Sequence, residues 1–432
     1  MALIDLGEVR DDDPEPPVRP RPGMTRPWRV ALVLGLVLVT LAGAAPAPRR
    51  VSVTVPGRSG AEAFLAGDQL VVVGPRSGGV RGGRELTAYD LPDDGRMASS
   101  TLRARWRRTV PDAPRIWPMA AAAGVLLVTS NDGGRESALT VALETATGRE
   151  RWRQPGSPML TEGGRVLLTV PVGEDGQSVR VVDPATGAVH WSVTGTPHLT
   201  DHRFAERGID RLVWILPSGR IEVRDADSGR VLAAAPVDLG APDAGVGGQV
   251  TGDLLLAVRI DPPTLTAYGL DRLDRRWTVD LPSVAYVTPC GGALLCSWEQ
   301  AGGVRALDRA TGRTVWHDPR WLAGFPVGDR LVATTSVSPV REEVVLLDLA
   351  TGRELANLGS WNGLQTPVDG GPPVASREIR DRGLLVAEFD VVLGRPRILD
   401  VLPGTYGDCR FHPELLLCQQ LDGSFRLWWL PH

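Results

Sequence analysis

The chain has 432 residues and a net charge of −4, with 47 basic side chains against 51 acidic ones. That balance gives no global basic field, so nucleic acid is not an expected partner. A hydrophobic content of 43% and 50 glycines fit a turn-rich globular protein and exclude a wholly disordered chain.

Residues 1–27 are rich in proline and charge, with Asp11, Asp12 and Asp13 followed by Pro14, Pro17, Pro20 and Pro22. They read as a disordered tail. Val30 to Ala45 then runs without a charge and extends to Ala47. As a helix this stretch spans about 24–27 Å, short but sufficient for a bilayer core. Trp28 and Arg29 flank one end, Arg49 and Arg50 the other. Residues 28–47 are therefore predicted as a single transmembrane helix, an uncleaved signal anchor. The competing reading is a cleaved signal peptide, with Ala42-Gly43-Ala44 as the processing site.

After this the chain repeats itself. Val51–Val55 alternates like a strand. Val141–Trp152, Val181–Trp191, Glu222–Leu232, Val304–Trp316 and Val345–Leu355 then share one pattern. In each, an acidic residue stands four positions before a glycine: Glu144/Gly148, Asp183/Gly187, Asp225/Gly229, Asp308/Gly312 and Asp348/Gly352. In three, a tryptophan follows that glycine by four, namely Trp152, Trp191 and Trp316. Alternation, a Gly-containing turn and a returning tryptophan describe two strands joined tightly. The segment Leu265–Trp277 keeps the tryptophan but has Leu273 at the glycine position. Leu86–Leu91 with Trp106 opens the series, and Leu399–Gly404 closes it with Asp408 in place of tryptophan.

Counting Leu273, the turns recur at steps of 39, 42, 44, 39 and 40 residues. A period near forty with short strands indicates propeller blades. Eight copies predict an all-β propeller of about eight four-stranded blades over residues 51–432. The C-terminal hairpin lacks a returning strand, and Val51–Val55 is expected to supply it.

The pattern Asp308, Thr311, Gly312 and Trp316 resembles the quinoprotein-type, or PQQ-like, β-propeller repeat. The resemblance covers residues 61–430. It implies one of two things: a dehydrogenase that binds PQQ, or an envelope propeller of the BamB type that works as a cofactor-free scaffold. The family and the cysteines together favour an exported propeller, which places residues 1–27 in the cytoplasm. The dehydrogenase branch implies a calcium-binding carboxylate set, a catalytic Asp and a disulfide of adjacent cysteines. This chain has no Cys-Cys pair and lacks room for the insertions that build such a pocket.

Four cysteines fall as Cys290 with Cys296 and Cys409 with Cys418. Each pair can bridge neighbouring strands in an oxidising compartment, although four cysteines allow three connectivities and free buried thiols are the alternative. Zinc is disfavoured, because neither spacing is C-x-x-C and only His412 is near. His198 and His202 have no third ligand in view, so no metal, cofactor-binding or catalytic residue is assigned. Trp117, Trp321 and Trp361 lie off the tryptophan register in segments joining blades. They are the candidate binding-loop residues, against a role in filling gaps between blades. The expected function is a non-catalytic, membrane-anchored propeller that binds an envelope protein as scaffold or sensor. The alternatives are a PQQ-dependent oxidoreductase and a carbohydrate-binding propeller.

Overall fold

The computed structural model describes residues 52–429, apart from 76–82, 92–101, 111–114, 132–137, 238–246, 282–283, 339–340, 367–370, 381 and 413–414. The predicted tail and the predicted transmembrane segment, residues 1–27 and 28–47, lie outside the described residues. Among the described residues, no helix is long and apolar enough to cross a membrane.

Among the described residues every regular element is a strand, and these strands form nine four-stranded antiparallel sheets. Eight are simple meanders: blades one to eight span 62–110, 115–155, 157–195, 199–236, 247–280, 284–318, 323–361 and 363–402. The ninth combines Thr405–His412, Leu415–Gln420 and Phe425–Trp429 with the N-terminal strand Ser52–Val55. That strand pairs antiparallel with Phe425–Trp429, Ser52 opposite Trp428 and Val55 opposite Phe425. The expected closure of the ring by the N-terminal strand is therefore present.

Nine blades replace the predicted eight. The difference lies at the C-terminal end of the repeat series. Leu399–Gly404 is not a repeat turn. Leu399 sits on the fourth strand of blade eight, Arg395–Leu402, and Asp408 sits on the first strand of blade nine. The true turn of blade eight is Asp390–Gly394, which keeps the Asp-to-Gly spacing but replaces Ala-Thr with Val-Leu and has Ile398 where tryptophan belongs. Without Thr and Trp this turn lacks the repeat pattern, and in sequence the complete ninth blade looks like a fragment.

Hydrophobic clusters show how the sheets stack. One buried cluster lies between each consecutive pair of blades, and the ninth joins Val53, Val55 and Leu427 of blade nine to Ala63 and Leu70 of blade one. Because every sheet is covered on both faces, its middle strands carry unbroken apolar runs, as in Gln69–Pro75, where Leu70, Val71, Val72 and Val73 are all buried. Along a meander the links alternate between two faces of the ring. The repeat turns and the first-to-second-strand links share one face, called the turn face below. The other two links of each blade lie on the opposite face.

Candidate functional site

The repeat residues act between blades. In blade six, one Asp308 carboxylate oxygen accepts from the Thr311 amide (2.8 Å) and hydroxyl (2.6 Å), and the Gly312 amide closes the turn on the Asp308 carbonyl (2.8 Å). Asp348 with Thr351 and Gly352, and Asp183 with Thr186 and Gly187, repeat this geometry. The threonine hydroxyl and backbone donors hold Asp183, Asp308 and Asp348 below the ordinary carboxylate range.

The tryptophan of each such blade then reaches the next blade's turn. The Trp316 indole N–H donates to the Leu349 carbonyl (2.8 Å), and its ring covers Gly352, where a Cβ would lie 2.6 Å from ring carbons. Trp191 does the same over Gly229, donating to the Ala226 carbonyl (3.1 Å). Trp106 over Gly148, Trp152 over Gly187 and Trp277 over Gly312 complete five such joints. Gly352 is thus required twice, by its φ of 70° and by the ring lying on it. Asp183, Gly187, Trp191, Asp308, Gly312, Trp316, Asp348 and Gly352 are all consumed in holding the ring together.

A second set of joints lies on the first strands, and sequence reasoning missed it. Gln249 pairs with both backbone groups of Val287 on the next blade, accepting from its amide at 3.0 Å and donating to its carbonyl. Gln365 bonds in the same way to the Cys409 carbonyl (2.9 Å) and the Phe411 amide (3.1 Å). Asp201 accepts from the Val250 amide (2.5 Å). The available signal was a polar residue within a short first strand, and that is too weak to carry a position.

The cysteines form Cys290–Cys296 and Cys409–Cys418, each across the first hairpin of its blade, with Cα separations of 5.4 and 4.1 Å. The candidate tryptophans divide. Trp321 and Trp361 are only 3% and 2% exposed, which corrects their assignment to binding loops. Trp361 packs edge-on against Phe389 at 5.5 Å and donates to the Leu358 carbonyl. Trp321 fills the interface between blades six and seven beneath the Arg320 guanidinium. Trp117 lies on the first strand of blade two, paired with Thr129.

His202 is half-buried, and the desolvation of its ring pulls its pKa down against the opposing charge of Asp201. Among the described residues, no group of three or more His, Cys, Asp or Glu side chains converges on a point. The ring-closing seam carries a cleft of about 180 Å³ lined by Arg58, Glu85, Thr87, Tyr89 and Arg107. Burial raises the Tyr89 phenol, with Arg107 opposing. At that size the cleft holds a few waters and lies below the roughly 300 Å³ at which small-molecule sites begin.

Nine stacked antiparallel blades joined by tryptophan and turn define a PQQ-like β-propeller. The family described as outer membrane protein assembly factor BamB matches residues 82–268 and 300–379, and the chain belongs to that family. No curated protein matches the chain. Among solved structures, BamB from Moraxella catarrhalis is similar at 15% identity and a TM-score of 0.43, over 88% of this chain and 98% of that one. The computationally designed protein Ika8 is similar at 15% identity and a TM-score of 0.46, over 73% and 96%. A europium-containing methanol dehydrogenase is similar at 14% identity and a TM-score of 0.42, over 85% and 84%.

The quinone cofactor implied by part of this family does not fit the residues described. Both disulfides link strands of one hairpin, so neither offers the adjacent-cysteine ring that the resemblance implies. The repeat carboxylates are spread around the rim and spent on their own turns. No catalytic step is derived through that group.

Proposed function

We propose that this protein is a non-catalytic propeller, anchored in the membrane by residues 28–47, that binds an envelope protein as scaffold or sensor. The observation that carries this reading is the use of the repeat residues. The repeat Asp side chains are committed to their own turns and the repeat Gly and Trp to joints between blades, which leaves a rigid disc whose variable surface is its loops. Family membership supports the same reading. Two hairpin disulfides suit an oxidising compartment and favour a propeller outside the cytoplasm. The carbohydrate-binding alternative loses two of its stacking platforms, since Trp321 and Trp361 are buried.

The test is in-cell crosslinking of the full-length protein, purification from washed membranes and mass spectrometry. A reproducible envelope partner supports the scaffold. Recovery of the chain in the soluble fraction, with a mature N-terminus near Ala45, removes the anchor. Calcium-dependent binding of PQQ to the full chain would overturn the non-catalytic reading.

A further inference from the structure

We propose that the turn face docks on an anionic phospholipid bilayer, with the blade-eight turn inserted among the lipids. The inference rests on the anchor proposed above. The turn Asp390–Gly394 departs from the others at its tip. Where blade six presents Ala310 and Thr311, blade eight presents Val392 and Leu393, which are 87% and 61% exposed. The Asp390 carboxylate accepts from both of their amides, at 3.1 and 2.9 Å. The apolar tip therefore enters an apolar medium with these backbone donors already satisfied, which lowers the cost of placing a turn there, while the Asp390 carboxylate stays at the base of the turn. Leu355 and Ile398 extend the apolar surface on the adjoining outer strands, and Arg353 and Arg395 stand exposed beside it. Aliphatic side chains flanked by two arginines suit the boundary of an anionic bilayer.

The path of the chain selects this occupant over a protein partner. In blades two to eight, the third strand's end and the fourth strand's start are joined by a turn on the turn face. In blade nine these positions are Trp429 and Ser52. The described chain thus begins, at Ser52, on the turn face, one blade away from Val392 and Leu393. Only residues 48–51 separate the apolar run ending at Ala47 from Ser52, a reach of at most about 17 Å. An anchored chain must keep that edge of the turn face close to the lipid.

The experiment uses the full-length chain reconstituted into vesicles of phosphatidylcholine and phosphatidylglycerol, with a phospholipid carrying a diazirine on its acyl chain. Photolysis, proteolysis and mass spectrometry locate the adducts. Leu421 is the internal reference, since it is 84% exposed but lies on the opposite face. Adducts are expected at residues 30–47 and at Val392 and Leu393, above the level at Leu421. The full-length V392D/L393D variant loses the turn adducts and keeps those at 30–47. Labelling of 30–47 with the turn no higher than Leu421 overturns the docking and leaves the anchor standing. Turn labelling without labelling of 30–47 overturns the anchor and supports the docking. Labelling of neither overturns both.

Discussion

The interface between blades six and seven and that between blades four and five solve one packing problem in two ways. At the first, Trp316 lies over Gly352, and both residues follow the repeat. At the second, the tryptophan position holds Ala233 and the glycine position of the next turn holds Leu273. Leu273 keeps the turn's backbone bond, donating to the Gly269 carbonyl at 2.8 Å, and adopts a φ of 56° that a leucine rarely takes. Its side chain is buried in the interface cluster to which Ala233 also belongs. A leucine on the turn and a small residue on the facing strand thus stand where a glycine and an indole stand elsewhere. The difference shows that the glycine answers to the ring above it as well as to its own dihedral. When the ring is gone, the turn accepts a side chain and bears the backbone strain.

The largest expected effect comes from closing the space under the indole. Gly352→Ala drives a Cβ into the Trp316 ring at a positive φ and should cost about 3 kcal/mol in a denaturant titration of the full chain. A loss under about 1 kcal/mol would break the comparison, because the joint would then be adaptable. Next comes the exchange of one solution for the other. Ala233→Trp and Leu273→Gly should each cost about 2 kcal/mol alone. Together they should cost less than their sum by about 1–3 kcal/mol, since the pair rebuilds the docked joint. Strict additivity would mean that the two positions do not share one volume.

A smaller effect isolates the polar part of the joint. Trp316→Phe keeps most of the packing but strands the Leu349 carbonyl, and should cost about 1 kcal/mol by the same titration. The smallest effect is acid sensitivity. Asp183, Asp308 and Asp348 have folded-state pKa values below their unfolded ones. Their contribution is therefore fully present above the ordinary carboxylate value near about 4 and is lost as pH falls through the depressed values. The melting temperature should hold from neutral pH to about 5 and drop below about 4. Asp-to-Asn replacement at all three positions should make that drop shallower, and an unchanged slope would show that these turns carry no linkage.

Much of the architecture was legible because the repeat is local. An Asp, a Thr and a Gly within five residues make a turn by their own hydrogen bonds, and the same turn seen forty residues later announces a blade. The missed ninth blade marks the limit of that signal. Asp390–Gly394 folds like its counterparts but carries Val392 and Leu393 where the pattern holds Ala and Thr. Trp321 and Trp361 were misplaced for a related reason. A tryptophan outside the register looks free in sequence, whereas burial depends on which blade arrives beside it.

The sequence by itself determined the blade unit, the turn chemistry, the cysteine hairpins as candidate bridges and the N-terminal strand as the missing edge of the ring. All of these rest on residues within one repeat, or on one strand left without a partner. Only the tertiary structure decided the number of blades, the pairing of Cys290 with Cys296 and Cys409 with Cys418, and the fate of each tryptophan. It also decided that Leu273 is buried in the interface cluster to which Ala233 belongs and that Gln249 and Gln365 tie first strands together. Apart from the cysteine pairing, which lies within one hairpin, those facts depend on contacts between residues far apart in sequence, which come together only when neighbouring sheets stack.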